Sequence, residues 1–264
     1  MNTKFSNISS EVVDQILPRR DALGTFGKGA AAVALSMPIL AFINRAVAQS
    51  GSSVLDVLNF ALTLEFLEES FFRQGLDNGG LIPAADRPVI DQLRKHEQQH
   101  IDFLRAAISG NGGTPVALTD NSFDFTAGGA LNPFGDYQTF LALTQGFEDT
   151  GVRAYKGQAR NLLMAGQRIN PVLTAALRIH SVEARHASMI RRMRGQKGWI
   201  VGAGLQGLPQ GFGFEAIYAG EDNVTHGGVN ADAVSSVPRA AVEASFDEPL
   251  NRDQVLAIAT PFLA

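Results

Sequence analysis

The sequence predicts an all-α protein in which four long helices form a bundle with one long crossover connection. Apolar residues recur at helical spacing in four segments, and capping residues, prolines or glycines bound each segment. The connection between the second and third segments, about residues 110–135, is long enough to cross the length of a bundle. The four helices would therefore form two hairpins that this connection joins.

The first helix is predicted at about residues 52–74, where Ser52 or Ser53 can cap the N-terminus and Gly75 ends the helix. The second helix is predicted at about residues 87–109. A capping aspartate, a proline in the first turn and a terminal glycine bound this second helix; they are Asp86, Pro88 and Gly110.

The third helix is predicted to begin near Asp136 and to loosen around Gly157 or end by Gly166. The fourth is predicted to run from Asn170, a capping residue that precedes a proline, to Gly195. Glycine suits helix ends because it tolerates the left-handed backbone that follows a last turn.

After Trp199 the composition changes to Gly, Ala and Val with few helix signals, and one short helix is predicted after Asn251. We interpret residues 200–264 as an extension that wraps the bundle, not as a second catalytic domain. The bundle domain is then residues 49–199, and residues 1–48 form a separate segment.

Residues 1–48 have the order of an export signal. Arg19 and Arg20 precede an apolar run of small residues, and Ala46 and Ala48 form an A-x-A cleavage site. The twin arginine resembles a Tat signal, so we expect an exported, periplasmic protein that the Tat translocase carries after folding. A membrane anchor or a buried helix is the alternative, although the run is shorter than a spanning helix.

The bulk composition narrows the partners and the metals. A hydrophobic content of 45% and a charged content of 18% are typical of a globular protein. The net charge of −4 makes nucleic acid an unexpected partner. The absence of cysteine excludes disulfides and thiolate metal sites, so any metal would be bound by His, Asp and Glu.

Acids and histidines recur in the same order on the two predicted hairpins: a lone Glu, then a Glu and a His three residues apart. Residues three apart share a helix face, so each Glu–His pair can address one ion. Four carboxylates balance the charge of two divalent cations, and without cations their burial would be costly. The six candidate metal ligands are Glu65, Glu97, His100, Glu148, Glu183 and His186.

Four further residues lie close to these positions along the helices. Glu69 is an alternative ligand on the first helix or a partner of a ligating histidine. Tyr155 can hydrogen-bond a ligand, although a packed ring is the simpler interpretation. His180 is an additional candidate in the second shell, with a core or surface histidine as the alternative, and His96 is predicted at the surface.

The order of the six ligands resembles that of the ferritin-like diiron-carboxylate superfamily. Within it, the segments LNFALTLEFLEESFF and GFEDTGVRAY are similar to those of exported bacterial ferritin-like proteins related to plant desiccation-related proteins. The tail segment SFDEPLNRDQVLAIATPF resembles the same group more weakly. The resemblance covers about residues 53–195 and implies a ferritin-like bundle with two divalent metal ions, Fe or alternatively Mn.

The resemblance implies a protein that oxidises Fe²⁺ or reduces H₂O₂ or O₂ in stress defence, with no catalytic residue beyond the metal ligands. The alternative is a protective bundle in which the metal only stabilises the fold. An iron-storage shell is a third interpretation, which the roughly 65-residue tail disfavours because it would obstruct shell packing. The sequence leaves the metal, the substrate, the electron donor and homo-oligomerisation open.

Overall fold

The computed structural model describes residues 53–164 and 171–264, and this part of the chain is mostly helical. The long helices are α1 (Val54–Asp77), α2 (Arg87–Gly110), α3 (Tyr137–Met164) and α4 (Pro171–Met193). α1 packs along α2, α3 packs along α4, and α1 also contacts α3, so two helical hairpins form one bundle. The predicted all-α bundle is confirmed.

The proposed export signal, with Arg19, Arg20, Ala46 and Ala48, lies outside the described residues. The predicted helix boundaries at Ser52, Gly166 and Asn170 also lie outside them. In the described segments, no helix is long and apolar enough to cross a membrane.

The helix termini follow local capping rules. Ser53 forms a capping box with Asp56, in which the Ser53 Oγ accepts from the Asp56 N–H at 3.2 Å. Asp136 accepts the Thr139 N–H at 2.7 Å at the start of α3. Asp86 precedes α2 but makes no capping hydrogen bond. Its carboxylate instead accepts the hydroxyl of a residue in α3, Tyr137, at 2.8 Å.

Two glycines that were expected to end or loosen helices lie inside them. α1 continues beyond Gly75, where a Cβ would overlap the ring of Phe140. α3 continues through Gly157, where a Cβ would overlap the backbone carbonyl of Leu250. The predicted stop at Gly75 and the predicted loosening at Gly157 were wrong for one reason: these glycines allow a close approach of another segment, which the local sequence does not reveal. Gly195, with φ of 72°, does follow the end of α4.

The crossover connection between α2 and α3 packs against the bundle. It contains a 3-10 turn, Asp120–Ser122, whose Asp120 accepts a hydrogen bond from Ser70 of α1 at 2.7 Å. Phe125 lies in the core with its ring centroid 4.9 Å from that of Phe71. Phe123 forms an isolated antiparallel bridge with Leu263, so the connection also contacts the C-terminus.

The tail is more regular than expected. Its elements are a 3-10 turn (Phe214–Tyr218), β1 (Thr225–His226), β2 (Val229–Asn230), α5 (Ala231–Val234), α6 (Arg239–Glu243), α7 (Arg252–Ala259) and a 3-10 turn (Thr260–Phe262). The predicted helix after Asn251 is α7, and Asn251 caps it. The shorter helices α5 and α6 are too brief to produce an apolar period and were not predicted.

Arg153 of α3 fastens the tail to the bundle. Its guanidinium is buried, lies 3.0 Å from the Glu221 carboxylate, and donates to the backbone carbonyls of Ile217, Ala219 and Glu248. The Arg153 side chain thus pairs with three carbonyls and one carboxylate of the tail that are shielded from water in the folded protein. Loss of the side chain would leave these acceptors buried without a donor, which is costly.

We expect Arg153→Ala to lower the free energy of unfolding by about 3–5 kcal/mol, because it strands a buried carboxylate and its neighbours. Arg160→Ala is the matched control, since Arg160 is exposed on the same helix and should change stability by less than about 0.5 kcal/mol. Urea denaturation followed by circular dichroism measures both. Equal effects of the two substitutions would contradict the proposed role of Arg153.

Candidate metal centre

The four long helices bring all six predicted ligands together in the core of the bundle. Each side chain is buried, with an exposed fraction of 0–9%. The ligand atoms form two overlapping groups, and within each group they lie within 4.8 Å of one another. The first position is defined by Glu65, Glu97, His100 and Glu183, and the second position by Glu97, Glu148, Glu183 and His186.

At the first position, His100 faces three carboxylates through one ring nitrogen. Its Nδ1 lies 3.0 Å from Glu65 Oε2, 2.9 Å from Glu97 Oε2 and 3.1 Å from Glu183 Oε1. These residues come from three helices, with Glu97 one turn before His100 on α2. The three-residue spacing therefore places Glu97 and His100 side by side, as the helix geometry requires.

At the second position, His186 has the same arrangement. Its Nδ1 lies 3.0 Å from Glu97 Oε1, 3.4 Å from Glu148 Oε2 and 3.5 Å from Glu183 Oε2. Glu183 precedes His186 by one turn on α4, and Glu148 comes from α3. The two positions are thus built from the two hairpins in equivalent ways.

Glu97 and Glu183 are shared between the two positions. In each, one carboxylate oxygen faces His100 and the other oxygen faces His186. This is the arrangement of a carboxylate that bridges two cations. Glu65 and Glu148 each face one histidine and are terminal groups in the same sense.

The ligand atoms are placed to bind cations, because most of them have no hydrogen-bond partner. Both carboxylate oxygens of Glu97, Glu148 and Glu183 are buried without a hydrogen-bond partner, as is Nδ1 of His186. Buried polar atoms in proteins are nearly always hydrogen-bonded. A set of unpaired acceptors that converge on two points is what divalent first-row metal ions require, with oxygen and imidazole ligands.

The fold and this cluster agree with the comparison with protein families. The family model described as "Ferritin-like domain" matches residues 53–196, which is more than half of the chain. The chain belongs to the ferritin-like domain family. A search of curated proteins found no match. The matched range contains all six residues of the cluster and all four long helices of this ferritin-like domain.

The three additional candidates, Glu69, Tyr155 and His180, have different surroundings. The Tyr155 hydroxyl donates to Glu65 Oε1, so Tyr155 hydrogen-bonds one of the six candidate ligands, although a packed ring was the simpler interpretation. Glu69 instead pairs with Arg73 and Arg94, each at 3.4 Å, which explains why it is drawn away from the cluster. His180 belongs to neither position, and its Nε2 has no hydrogen-bond partner.

His96 was expected at the surface because it lies next to Glu97 in the chain. In the structure it instead contacts His186 of the cluster. It is half-buried, its Nδ1 lies 2.8 Å from Nε2 of His186, and the two rings stack with 5.1 Å between centroids. The α2 residue reaches α4 because the hairpins pack together. Only the tertiary structure shows this contact, since the two histidines are 90 residues apart.

Glu68 is a fifth buried acid that sequence reasoning missed. It is 4% exposed, and the strongest repulsions on its carboxylate come from Glu183 and Glu148. Burial raises the pKa of Glu68 well above its usual range. Its position one turn after Glu65, on the same helix face, is a sequence signal that could have identified it.

The electrostatics of the ferritin-like cluster favour protons when no cation balances the acids. Burial raises the pKa of Glu65 to about 8 despite the opposing effect of His100. Burial also raises the pKa of Glu148 well above its usual range. The neighbouring carboxylates outweigh the burial of His100 and raise its pKa to about 12, while both histidines outweigh the burial of Glu183 and lower its pKa to about 2.

A small apolar cavity lies between the four long helices, and Tyr155 separates it from Glu65 of the first position. Its volume is about 20 Å³, which is room for about one water-sized molecule, and all four long helices line it. Tyr155 lines the cavity and also donates to Glu65, so it joins the cavity to the cluster. Gln158 is the other polar side chain in the lining, and its Nε2 is buried without a partner.

We expect the metal-free protein to lose stability as the pH rises from about 5 to about 8. Glu65 has a pKa of about 8 in the folded state against about 4.5 as its ordinary value, so the folded state binds more protons in this window. Rising pH therefore removes a proton that stabilises the fold, and Glu68 and Glu148 act in the same direction.

The measurement is the free energy of unfolding of the chelator-treated protein at pH 5, 6.5 and 8, by urea denaturation. Glu65→Gln should reduce the dependence on pH, because the amide cannot release a proton. Stability that is flat or rises across this window would contradict the assignment.

Proposed function

We propose that the cluster holds two first-row divalent metal ions, with iron favoured and manganese as the alternative. This proposal rests on the positions of the carboxylate oxygens of Glu97 and Glu183. Each of these residues directs one oxygen to His100 and the other to His186. Glu65 and Glu148 would complete the two sets of ligands. Oxygen and imidazole donors suit both metals, so metal availability would decide the loading.

We propose further that the protein oxidises Fe²⁺ or reduces H₂O₂ or O₂ in defence against oxidative stress. When bound, two such ions supply redox chemistry in which each exchanges one electron. The chain supplies a dry environment, because all six ligands are buried in the bundle. The Tyr155 hydroxyl holds the Glu65 carboxylate in orientation and keeps its own proton, since burial raises the tyrosine pKa well above its usual range.

The apolar cavity next to Tyr155 supports a small oxidant as the reactant. Its lining includes Leu58, Ala61, Leu104 and Ile179, which do not favour a charged solute. A cavity of about 20 Å³ admits a molecule of the size of O₂ or H₂O₂ but not a drug-sized substrate. Nε2 of Gln158, which has no hydrogen-bond partner, could donate one hydrogen bond to such a molecule.

We also propose that the protein is exported before it acts, and this part of the proposal depends on residues 1–48. Their twin arginine, apolar run and A-x-A site support recognition by the Tat translocase. This route carries folded proteins, so the metal would be inserted in the cytoplasm. The mature protein would then act in the periplasm, where peroxide from outside arrives first.

The alternative is a protective bundle whose metal stabilises the fold without turnover, and one observation favours it. Five buried acids, including Glu68, have only two imidazoles as basic neighbours in the cluster. A bound cation would therefore stabilise the fold directly, whether or not the protein catalyses a reaction. For each site, a cation at a hundredfold excess over its Kd adds about 2.7 kcal/mol to stability.

The deciding experiment measures metal content and turnover in the same preparation. We expect about two Fe or Mn ions per full-length chain by elemental analysis, because the cluster provides two positions. The double substitution Glu97→Ala with His186→Ala should abolish this content, since it removes a shared ligand and a terminal ligand. The matched control, Glu69→Gln with His180→Ala, changes one Glu and one His outside both positions and should keep the metal.

Oxidation of Fe²⁺ and consumption of H₂O₂ by the loaded protein then separate the two functions. Turnover that the double substitution abolishes would support the redox function. Bound metal that raises the free energy of unfolding without turnover would support the protective alternative. A folded protein that binds no metal in iron- and manganese-replete medium would contradict both.

A further inference from the structure

The two halves of the cluster can be compared residue by residue. Glu65 of α1 corresponds to Glu148 of α3, and the pair Glu97 and His100 of α2 corresponds to Glu183 and His186 of α4. If this correspondence is extended along each helix, positions 68, 72 and 96 of the first hairpin match positions 151, 155 and 182 of the second. The residues differ at all three of these positions. Each difference changes the surroundings of only one of the two cation positions.

The first difference is Glu68 against Gly151. The Glu68 side chain crosses from α1 toward α3, so that its Oε1 lies 3.2 Å from the place where a Cβ of Gly151 would stand. Gly151 is one turn after Glu148, and the shared Glu183 is 3.9 Å from the same point. In the described residues no basic group pairs with Glu68. Its charge is therefore added beside the second position, where Glu148 lies.

The second difference is His96 against Val182. His96 contacts Nε2 of His186 at 2.8 Å, while the Nδ1 of His186 faces the carboxylates. When Nε2 of His186 donates its proton to His96, Nδ1 is left free for a cation and the ring is held in orientation. Val182 has no hydrogen-bonding side chain, so it cannot do the same for His100 at the first position.

The third difference is Phe72 against Tyr155, and it affects the first position. The Tyr155 hydroxyl donates to Glu65, a terminal carboxylate of the first position. The accepting atom is Oε1, while Oε2 is the oxygen that faces His100, so this hydrogen bond orients the Glu65 carboxylate. Phe72 is buried at the corresponding place and offers no donor to Glu148. Each position therefore has one ligand that a neighbouring side chain orients, whereas only the second has an added acid beside it.

We propose that the two positions are inequivalent, and that the second position, with Glu148 and His186, binds its divalent cation first and more tightly. Glu68 is the main cause, because a cation at the second position balances an acid that otherwise stays buried without a basic partner. His96 adds orientation. This inference rests on the proposed metal binding and specifies the order in which the two positions fill.

The test is a titration of the demetallated full-length chain with Mn²⁺, followed by calorimetry and electron paramagnetic resonance. We expect two binding steps whose Kd values differ by at least about tenfold, since groups around a ligand shell change metal affinity by about 10–100-fold. At one equivalent the spectrum should be that of isolated Mn²⁺, and a spin-coupled signal should appear only with the second equivalent.

Glu68→Gln should weaken the first step about tenfold and leave the second step nearly unchanged, so that the two steps merge. Gly151→Ala should act in the same direction, because the new methyl group would stand 3.2 Å from Glu68 Oε1 and displace it. Glu69→Gln is the matched control: it makes the same change one residue further on α1, at an acid paired with Arg73 and Arg94, and should alter neither step.

The outcomes distinguish this inference from the proposed function. Two ions that bind the unsubstituted chain with indistinguishable Kd values, and a coupled signal from the first addition, would overturn the inference while the metal site stands. A chain that binds no Mn²⁺ or Fe²⁺ at all would remove the proposed function itself. If Glu68→Gln does not fold, Gly151→Ala carries the test, and unchanged steps in the folded variant would overturn the role of Glu68.

Discussion

The burial of acids without basic partners is the constraint on which the rest of this structure depends. Elsewhere in the described residues, buried acids pair directly with guanidinium groups. Asp149 lies 2.5 Å from Arg191, and Glu221 lies 3.0 Å from Arg153. The five acids of the cluster have no such partner, and only two imidazoles face them. Their burial is tolerable only if protons or cations balance the charge, so cluster chemistry and fold stability are coupled.

The tail contributes to this constraint through α3. Asp149 directly follows Glu148, and it accepts hydrogen bonds from Arg191 of α4 and from the Tyr218 hydroxyl of the tail at 2.7 Å. Arg153, one turn further on, holds three tail carbonyls. Contacts of Asp149 and Arg153 with α4 and the tail therefore hold α3 in place beside the cluster. A terminal ligand on a well-fixed helix is better oriented toward a cation than one on a helix that can rotate.

The internal symmetry of the bundle explains the pair of positions, and its exceptions explain their differences. Two similar hairpins produce two similar groups of acids and histidines, with Glu97 and Glu183 between them. Small departures from symmetry then change the surroundings without changing the ligands. A glycine in α3 makes room for Glu68, and a histidine in α2 reaches His186. Such departures would allow two chemically similar ions to have different affinities.

The sequence by itself determined the four long helices and the two Glu–His pairs of the cluster, because both depend on local spacing, while Glu65 and Glu148 followed from the repeated order of the motifs. Apolar periods and caps such as Ser53 locate helices within a few residues. A three-residue interval places Glu97 beside His100 on any helix. The order of the motifs along the chain also matched a known superfamily, which local spacing alone would not have identified.

Only the tertiary structure decided how segments distant in the chain meet. Gly75 and Gly157 lie within helices because Phe140 and Leu250 approach them, and no local pattern records such an approach. The contact of His96 with His186, the division of the shared carboxylates and the place of Glu68 likewise depend on packing between helices. Helix periodicity states which face a side chain occupies, but the neighbour opposite that face is set by the fold as a whole.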